Sequence, residues 1–214
     1  LFANTTGANN VAVGANALDA ATTASVNTAV GSNALGATTT GQQNVAVGAN
    51  SLDANTTGGD NVAVGTGALG ANTTASNNTA VGHLALTANT TGAQNTSIGA
   101  LAMDAHTTGS NNTSVGYESL GKSTTGGGNV AIGRAALLDT TTTSNNVAVG
   151  VEALENNIAT GNTAVGYQSL RNNTTGYGNT AFGLDAGKTT TTGAGNVFIG
   201  DISGGGTNGT TTGI

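Results

Sequence analysis

A short alternation of apolar and polar residues recurs along the whole chain. Each copy reads asparagine, valine or threonine, a small residue (Phe198 is the one exception), a large apolar residue and glycine. β-Branched residues alternating over so few positions predict a strand of about four residues, which the glycine ends. The closing glycines are Gly14, Gly31, Gly48, Gly65, Gly82, Gly99, Gly116, Gly133, Gly150, Gly166, Gly183 and Gly200.

The closing glycines follow one another at a constant spacing of seventeen positions, as from Gly14 to Gly31, and only the interval from Gly150 to Gly166 is one position shorter. We number each unit from its closing glycine as position 0. Alanine and leucine then recur at +3 and +4, and Thr-Thr-Gly at +8 to +10 leads back to the next strand. A disordered linker does not keep such a register, and glycine, threonine and asparagine are poor helix formers. The pattern therefore predicts a repeat fold without helices.

Seventeen residues at about 3.3 Å each give one coil of a narrow β-solenoid, and twelve coils at about 4.8 Å give a rod of about 58 Å. We predict an all-β parallel β-solenoid (a β-roll) that forms one repeat domain over residues 1–214, with the register running from Asn10 to about Gly209. Equivalent residues would stack, with Val or Ile at −1 and Leu at +4 filling the interior. Two structural ladders are expected, of asparagines at −4 and of closing glycines: Asn44, Asn61, Asn78 and Asn95, with Gly48, Gly65, Gly82 and Gly99.

The shorter unit, which runs from Gly150 to Gly166, has lost one residue between Glu155 and Gly161. We expect the turn to absorb this loss, so that Val149 and Val165 still stack.

The small residues at −2 are expected on the outer face of the strand, where a second surface packs closely against them. The simpler alternative is that alanine is merely common in this chain. On the first interpretation these alanines form the interface of a homo-oligomer: Ala12, Ala29, Ala46, Ala63, Ala80, Ala131, Ala148, Ala164 and Ala181.

Composition removes several functional classes. The chain of 214 residues contains 36 Gly, 40 Thr and 28 Asn but no Cys, and only 7% of its residues are charged. Its net charge is −6, and its four basic residues are too few for a nucleic-acid groove. The chain contains no apolar run long enough to insert this segment into a membrane. The absence of proline suits strands in which every N–H is needed.

Titratable side chains do not converge on a catalytic centre. His83 at +1 and His106 at +7 are predicted to be exposed turn residues. Asp19, Asp53 and Asp104 share position +5 but come from separate units. We therefore expect no catalytic residue, no metal site and no cofactor.

Glu152 and Glu155 lie in one unit, with Arg134 and Arg171 in the flanking units. Surface ion pairs are the default expectation for such a group.

The repeated phrases resemble known fibre proteins. Asn9 to Gly14, Asn77 to Gly82 and Asn111 to Gly116 resemble the repeat in the head domains of trimeric autotransporter adhesins. Asn162 to Leu170 and Asn172 to Gly176 resemble repeats of phage-type tail-fibre proteins. The resemblance covers all twelve units and implies β-rolls assembled as a parallel homotrimer in an extracellular fibre on a cell surface or virion. Such a fibre would mediate attachment or act as a stiff spacer, although the repeats here are longer than those of the heads.

Two other functions remain open. A single-chain solenoid could stack end to end as a filament, and stacked Thr-Thr pairs permit an ice-binding face, although adjacent threonines point to opposite sides. Variable outward positions are candidates for contact with a surface receptor or glycan: Tyr117, Glu118, Arg134, Glu152, Tyr167, Gln168, Arg171 and Tyr177.

Overall fold

A computed structural model describes residues 1–204 of the chain. Residues 205–214, including the predicted end of the register near Gly209, lie outside this range. Twelve strands of three residues and no helix occur within the described range. They are β1 (Val11–Val13), β2 (Thr28–Val30), β3 (Val45–Val47), β4 (Val62–Val64), β5 (Thr79–Val81), β6 (Thr96–Ile98), β7 (Thr113–Val115), β8 (Val130–Ile132), β9 (Val147–Val149), β10 (Thr163–Val165), β11 (Thr180–Phe182) and β12 (Val197–Ile199).

The twelve strands form one parallel sheet in sequence order. Equivalent residues pair directly, as Val45 pairs with Val62 and Ala46 with Ala63. The chain therefore advances by one strand per repeat and makes about eleven complete turns between β1 and β12. The predicted β-solenoid is confirmed, with strands one residue shorter than expected. We call the stretch from one strand to the next a coil and number each coil after its strand.

Hydrogen bonds between coils continue outside the strands. The Leu35 N–H donates to the Ser51 carbonyl of the next coil at 3.0 Å, and the Thr56 N–H donates to the Thr73 carbonyl at 2.8 Å. Such bonds recur with the repeat, so the turns as well as the strands tie each coil to its neighbour. A proline at any of these positions would remove one bond, which explains why its absence suits this fold.

The leucine at +4 fills the interior, as the sequence predicts. These side chains are fully buried and stack in one row: Leu18, Leu35, Leu52, Leu69, Leu86, Met103, Leu120, Leu137, Leu154 and Leu170. Their backbone lies in the left-handed region, with φ of 50° at Leu18 and 48° at Leu170. Because this conformation costs a non-glycine residue about 1–2 kcal/mol, burial of the side chain must offset the strain in every coil.

The predicted faces of the strand are reversed in the structure. Ala29, Ala63 and Ala148 at −2 are fully buried within a single chain and belong to the same core as the leucines. The valines at −1 point outward instead; Val47 is 37% exposed. The interior is narrow, and a leucine from the opposite wall already occupies it, so only a small residue fits at −2. The alanines assigned to an interface therefore belong to the core or pack against it: Ala12, Ala29, Ala46, Ala63, Ala80, Ala131, Ala148, Ala164 and Ala181.

The shortened coil keeps its strand in register. Val149 pairs with Val165, as predicted. The Ile158 N–H still donates to the Thr174 carbonyl at 2.9 Å, and the Gly161 N–H to the Ser144 carbonyl at 3.3 Å. The residue is therefore lost between Ile158 and Gly161, within the turn.

The core of coil twelve is packed differently from that of the other coils. Phe198 occupies position −2 and is 2% exposed. Glycines replace leucine at +4 on both sides of it; a Cβ on Gly187 would lie 2.7 Å from Phe198 Cδ2, and a Cβ on Gly204 would lie 2.6 Å from Phe198 Cδ1. One phenylalanine thus fills the space of two leucines at this end of the core.

Candidate functional surfaces

The outer face of the sheet carries two rows of residues, at −3 and −1. The residue between them is buried in all strands except β1, while both flanking residues are half-buried or exposed. Position −3 holds valine or threonine, and position −1 holds only valine, isoleucine or phenylalanine. Neither row contains a charged residue. We call these two rows the valine face.

The valine face exposes more apolar surface than isolated residues would. At −1, Ile98 is 41%, Ile132 39% and Phe182 59% exposed. Because the strands stack in register, these side chains form one continuous row along the rod. Contiguous exposed apolar surface of this kind marks an interaction site more often than scattered apolar residues do.

The asparagines at −4 form a ladder inside the turn. Asn61 Nδ2 donates to Asn44 Oδ1 at 3.1 Å and to the Ala75 carbonyl at 2.9 Å, and Asn61 Oδ1 accepts the Asn78 N–H at 3.0 Å. Asn95 Nδ2 donates to the Gly109 carbonyl at 2.9 Å, and Asn95 Oδ1 accepts the Asn112 N–H at 3.0 Å. Each asparagine therefore joins its own coil to both neighbours, and the row is structural.

The closing glycines stack directly on one another. Gly48, Gly65, Gly82 and Gly99 have φ between 133° and 140°, a region that side chains rarely adopt. A Cβ on Gly65 would lie 2.3 Å from the Gly82 carbonyl oxygen. Both the conformation and the close approach of consecutive coils require glycine here.

A second buried polar row lies at +7. The repeat pattern does not reveal it, because the residue type at this position varies from unit to unit. The row includes Thr38, Asn55, Asn72, Asn89, His106, Ser123, Thr140, Asn157 and Asn173. Asn55, Asn72, Asn89 and Asn173 each donate to a carbonyl three residues later, and neighbouring amides bond between coils. His106 is fully buried in this row, so the prediction that it is an exposed turn residue was wrong. His83 is exposed as expected.

The ion pairs expected around Glu152 and Glu155 are present. Arg134 contacts Glu152, and Arg171 contacts Glu155 and lies 3.4 Å from Glu152. Gln168 Nε2 donates to Glu152 Oε2 at 2.6 Å. The Gln168 amide, assisted by the two arginines, holds the pKa of Glu152 below its usual range against the opposing effect of burial. The network ties coils eight, nine and ten together, and Glu152 and Gln168, which were expected to point outward, are buried within it.

The threonine pairs divide between two roles. Thr56 Oγ1 donates to the Thr73 carbonyl of the next coil at 3.0 Å, and Thr73 Oγ1 donates onward to the Thr90 carbonyl at 3.3 Å. The second threonine of each of these pairs, Thr57 and Thr74, is exposed. The pairs thus present one exposed row of threonines rather than two.

Acidic and histidine side chains remain scattered among the residues that the structure describes. No three of them are close enough to hold a metal ion within residues 1–204. Asp19, Asp53 and Asp104 lie in coils one, three and six, which separates them along the rod. The described surface thus offers packing faces and ion pairs as its main features.

Comparison with family models, curated proteins and solved structures finds no match for this chain. Among the described residues, no helix has the length and apolar character needed to cross a bilayer.

Proposed function

We propose that the chain is a structural rod segment of an extracellular fibre, such as an adhesin or a tail fibre. It would mediate surface attachment or act as a stiff spacer. The hydrogen-bonded stacking of every coil from β1 to β12 supports a mechanical role, because bending or pulling must disturb many bonds at once. The buried asparagine and leucine rows leave few loose loops for a protease to enter.

The valine face is the single observation that most strongly supports assembly of this rod with further copies of itself. Its −1 row is apolar throughout, its −3 row holds only valine and threonine, and both rows are uncharged and run the length of the rod. A strand of three residues spans about 10 Å and twelve coils about 58 Å, so the flat face covers about 600 Å². A stable interface buries about 800 Å² of accessible surface per partner. The neighbouring row at +1, which includes Tyr117 and Tyr167, would supply the remainder.

A parallel homotrimer is the assembly that we expect to bury this face. Three rods with their valine faces turned toward a common axis would cover the apolar row in every coil and leave the threonine and ion-pair surfaces in water. This replaces the alanine interface expected from the sequence with one formed by residues at −3 and −1. Tyr177, which is 65% exposed and lies outside the −3, −1 and +1 rows, would remain a candidate for contact with a surface receptor or glycan.

Lysine substitution on the valine face tests the assembly without disturbing the core. Val64→Lys with Val81→Lys places two charges on the outer face of neighbouring strands, where a free chain would leave them in water. We expect light scattering to show several chains for the unmodified protein and a folded single chain for this variant. Thr57→Lys with Thr74→Lys, on the exposed threonine row of coils three and four, is the matched control and should assemble normally.

An unmodified protein that is a single chain, or a valine variant that keeps the assembled mass, would overturn the proposed interface. Lysine at Ala63 and Ala80 would not serve as a test, because both residues are fully buried within one chain. Such a variant would unfold whether or not the protein assembles.

A further inference from the structure

The polar row at +7 is continuous in coils three to five. Asn72 Nδ2 donates to Asn55 Oδ1 at 3.1 Å, and Asn89 Nδ2 donates to Asn72 Oδ1 at 3.0 Å. Asn89 Nδ2 also donates to the Gly92 carbonyl of its own turn at 2.9 Å. The amide of each coil thus holds its own turn and the preceding coil together.

His106 interrupts this row in coil six. Its Nε2 lies 2.9 Å from the Gly109 carbonyl and so carries the proton, because a carbonyl can only accept. Its Nδ1 lies 3.3 Å from Ser123 Oγ and accepts from that hydroxyl. The neutral ring has no further donor for the preceding coil, and among the residues that the structure describes Asn89 Oδ1 is buried without a partner. His106 therefore makes the hydrogen bond within its own turn that an asparagine would make, but it does not make the hydrogen bond between coils five and six.

Coils six and seven carry other polar or flexible residues in the interior. Ser97 and Ser114 are the two serines in the −2 row, and Met103 is the one methionine in the leucine row. Ser97 Oγ donates to the Ala102 carbonyl at 2.8 Å, and Ser114 Oγ donates to the Ser119 carbonyl at 2.9 Å. These hydroxyls are satisfied, but they replace apolar contacts. Coils six and seven therefore hold together with less apolar packing than the coils on either side.

We propose that coils six and seven form an acid-sensitive weak point of the rod, which opens when buried His106 takes up a second proton while the flanking coils stay folded. In a repeat protein each coil contacts only its neighbours, so one destabilised coil can open locally. The weak point lies in the middle of the twelve described coils, and its opening would leave a folded segment on either side.

Within residues 1–204, no charged group is placed to neutralise a protonated His106. Gly109 and Asn112 face it from its own coil, Asn89 from coil five and Ser123 from coil seven. All four are uncharged.

The nearest acid in the sequence is Asp104, a half-buried residue. It has an elevated pKa, caused mainly by its own burial and opposed by backbone hydrogen bonds, with a contribution from Glu118 rather than from the histidine. Burial likewise lowers the pKa of His106, against the Gly109 and Ser123 contacts that raise it.

The sign of the pH effect follows from that direction. A histidine whose pKa is lowered by folding contributes its full stability above its ordinary pKa of about 6.5 and loses it progressively as the pH falls below that value. An opened coil takes up the proton freely. Between pH 8 and pH 5 the opening equilibrium of coil six should therefore increase by up to about 30-fold.

Amide hydrogen exchange, resolved by coil and corrected for intrinsic rates, measures this directly. We expect amides of residues 96–129 to lose protection between pH 8 and pH 5, whereas amides of coil three keep theirs. Equal changes in both regions, or no change in either, would overturn the proposal.

Two variants isolate the histidine. His106→Asn restores a donor for Asn89 Oδ1, so it should remove the pH dependence of coils six and seven and raise their protection at pH 8. His106→Gln is a second neutral replacement, should the first variant fold poorly. His83→Asn changes the exposed histidine and should leave the pH dependence intact. Persistence of the acid-induced opening in a folded variant without His106 would contradict the proposal.

Discussion

Removing the ring of Phe198 tests how the interior of coil twelve is packed. The side chain is 2% exposed and lies between two glycines that stand where other coils have leucine. Replacing a buried phenylalanine by alanine costs about 3–5 kcal/mol when the cavity does not collapse. Phe198→Ala should therefore accelerate amide exchange in β11 and β12 by about two orders of magnitude or more. Phe182→Ala removes the same ring from the outer face one coil earlier, where it is 59% exposed, and should cost less than about 1 kcal/mol in one chain.

A second substitution, Gly187→Leu, tests more stringently whether Phe198 and position +4 share one interior space. Gly187 has φ of 64°, close to the 48° of Leu170 in the same row, so leucine can adopt the backbone there. With the phenylalanine removed, Gly187→Leu should rebuild a regular coil, because burial of the side chain gains about 1.5–3 kcal/mol and the positive φ costs about 1–2 kcal/mol of it. In the unmodified protein the same substitution should destabilise, because its Cβ would lie 2.7 Å from the ring. Additive effects of the two changes would refute a shared interior space.

Further predictions concern the ladders and the surface network. Urea unfolding should show that Asn61→Ala costs about 3 kcal/mol, because three buried partners lose a bond, whereas exposed Thr57→Ala should cost less than about 0.5 kcal/mol. Gly65→Ala should prevent normal folding, because the new Cβ would lie 2.3 Å from a carbonyl oxygen. A Cβ at Gly161 would meet no atom within 4 Å, so Gly161→Ala should cost only about 1–2 kcal/mol for its positive φ. A carboxylate with a lowered pKa stabilises the fold above its ordinary pKa and loses that contribution as the pH falls. Glu152→Gln should therefore reduce the loss of stability on acidification below pH about 4.3. An acid transition that the substitution leaves unchanged would contradict this.

The register of the fold could be predicted from the sequence, but the direction of its side chains could not. The spacing of Gly48, Gly65 and Gly82 gave the coil length and the parallel pairing directly. Alternation alone does not distinguish the two sides of a strand when both carry apolar residues, as at Ala63 and Val64. The larger residue was expected inside, whereas the leucine row had already taken that space.

One signal in the sequence could have resolved the two faces. The only large residue at −2, Phe198, coincides with loss of leucine at Gly187 and Gly204. Such compensation makes sense only if positions −2 and +4 share one interior. The buried role of His106 had no comparable signal, because the +7 row mixes Thr, Asn, His and Ser and resembles an ordinary polar turn.

Small-angle X-ray scattering of the unmodified protein tests the central claim, that rods lie side by side through the valine face. We expect a particle about 58 Å long, the length of twelve coils, with a mass that is a multiple of the 20.3 kDa of one chain, most simply threefold. A mass of 20.3 kDa at that length would show that the rod stands alone. A length that grows in proportion to the mass would indicate end-to-end filaments and would contradict side-by-side assembly.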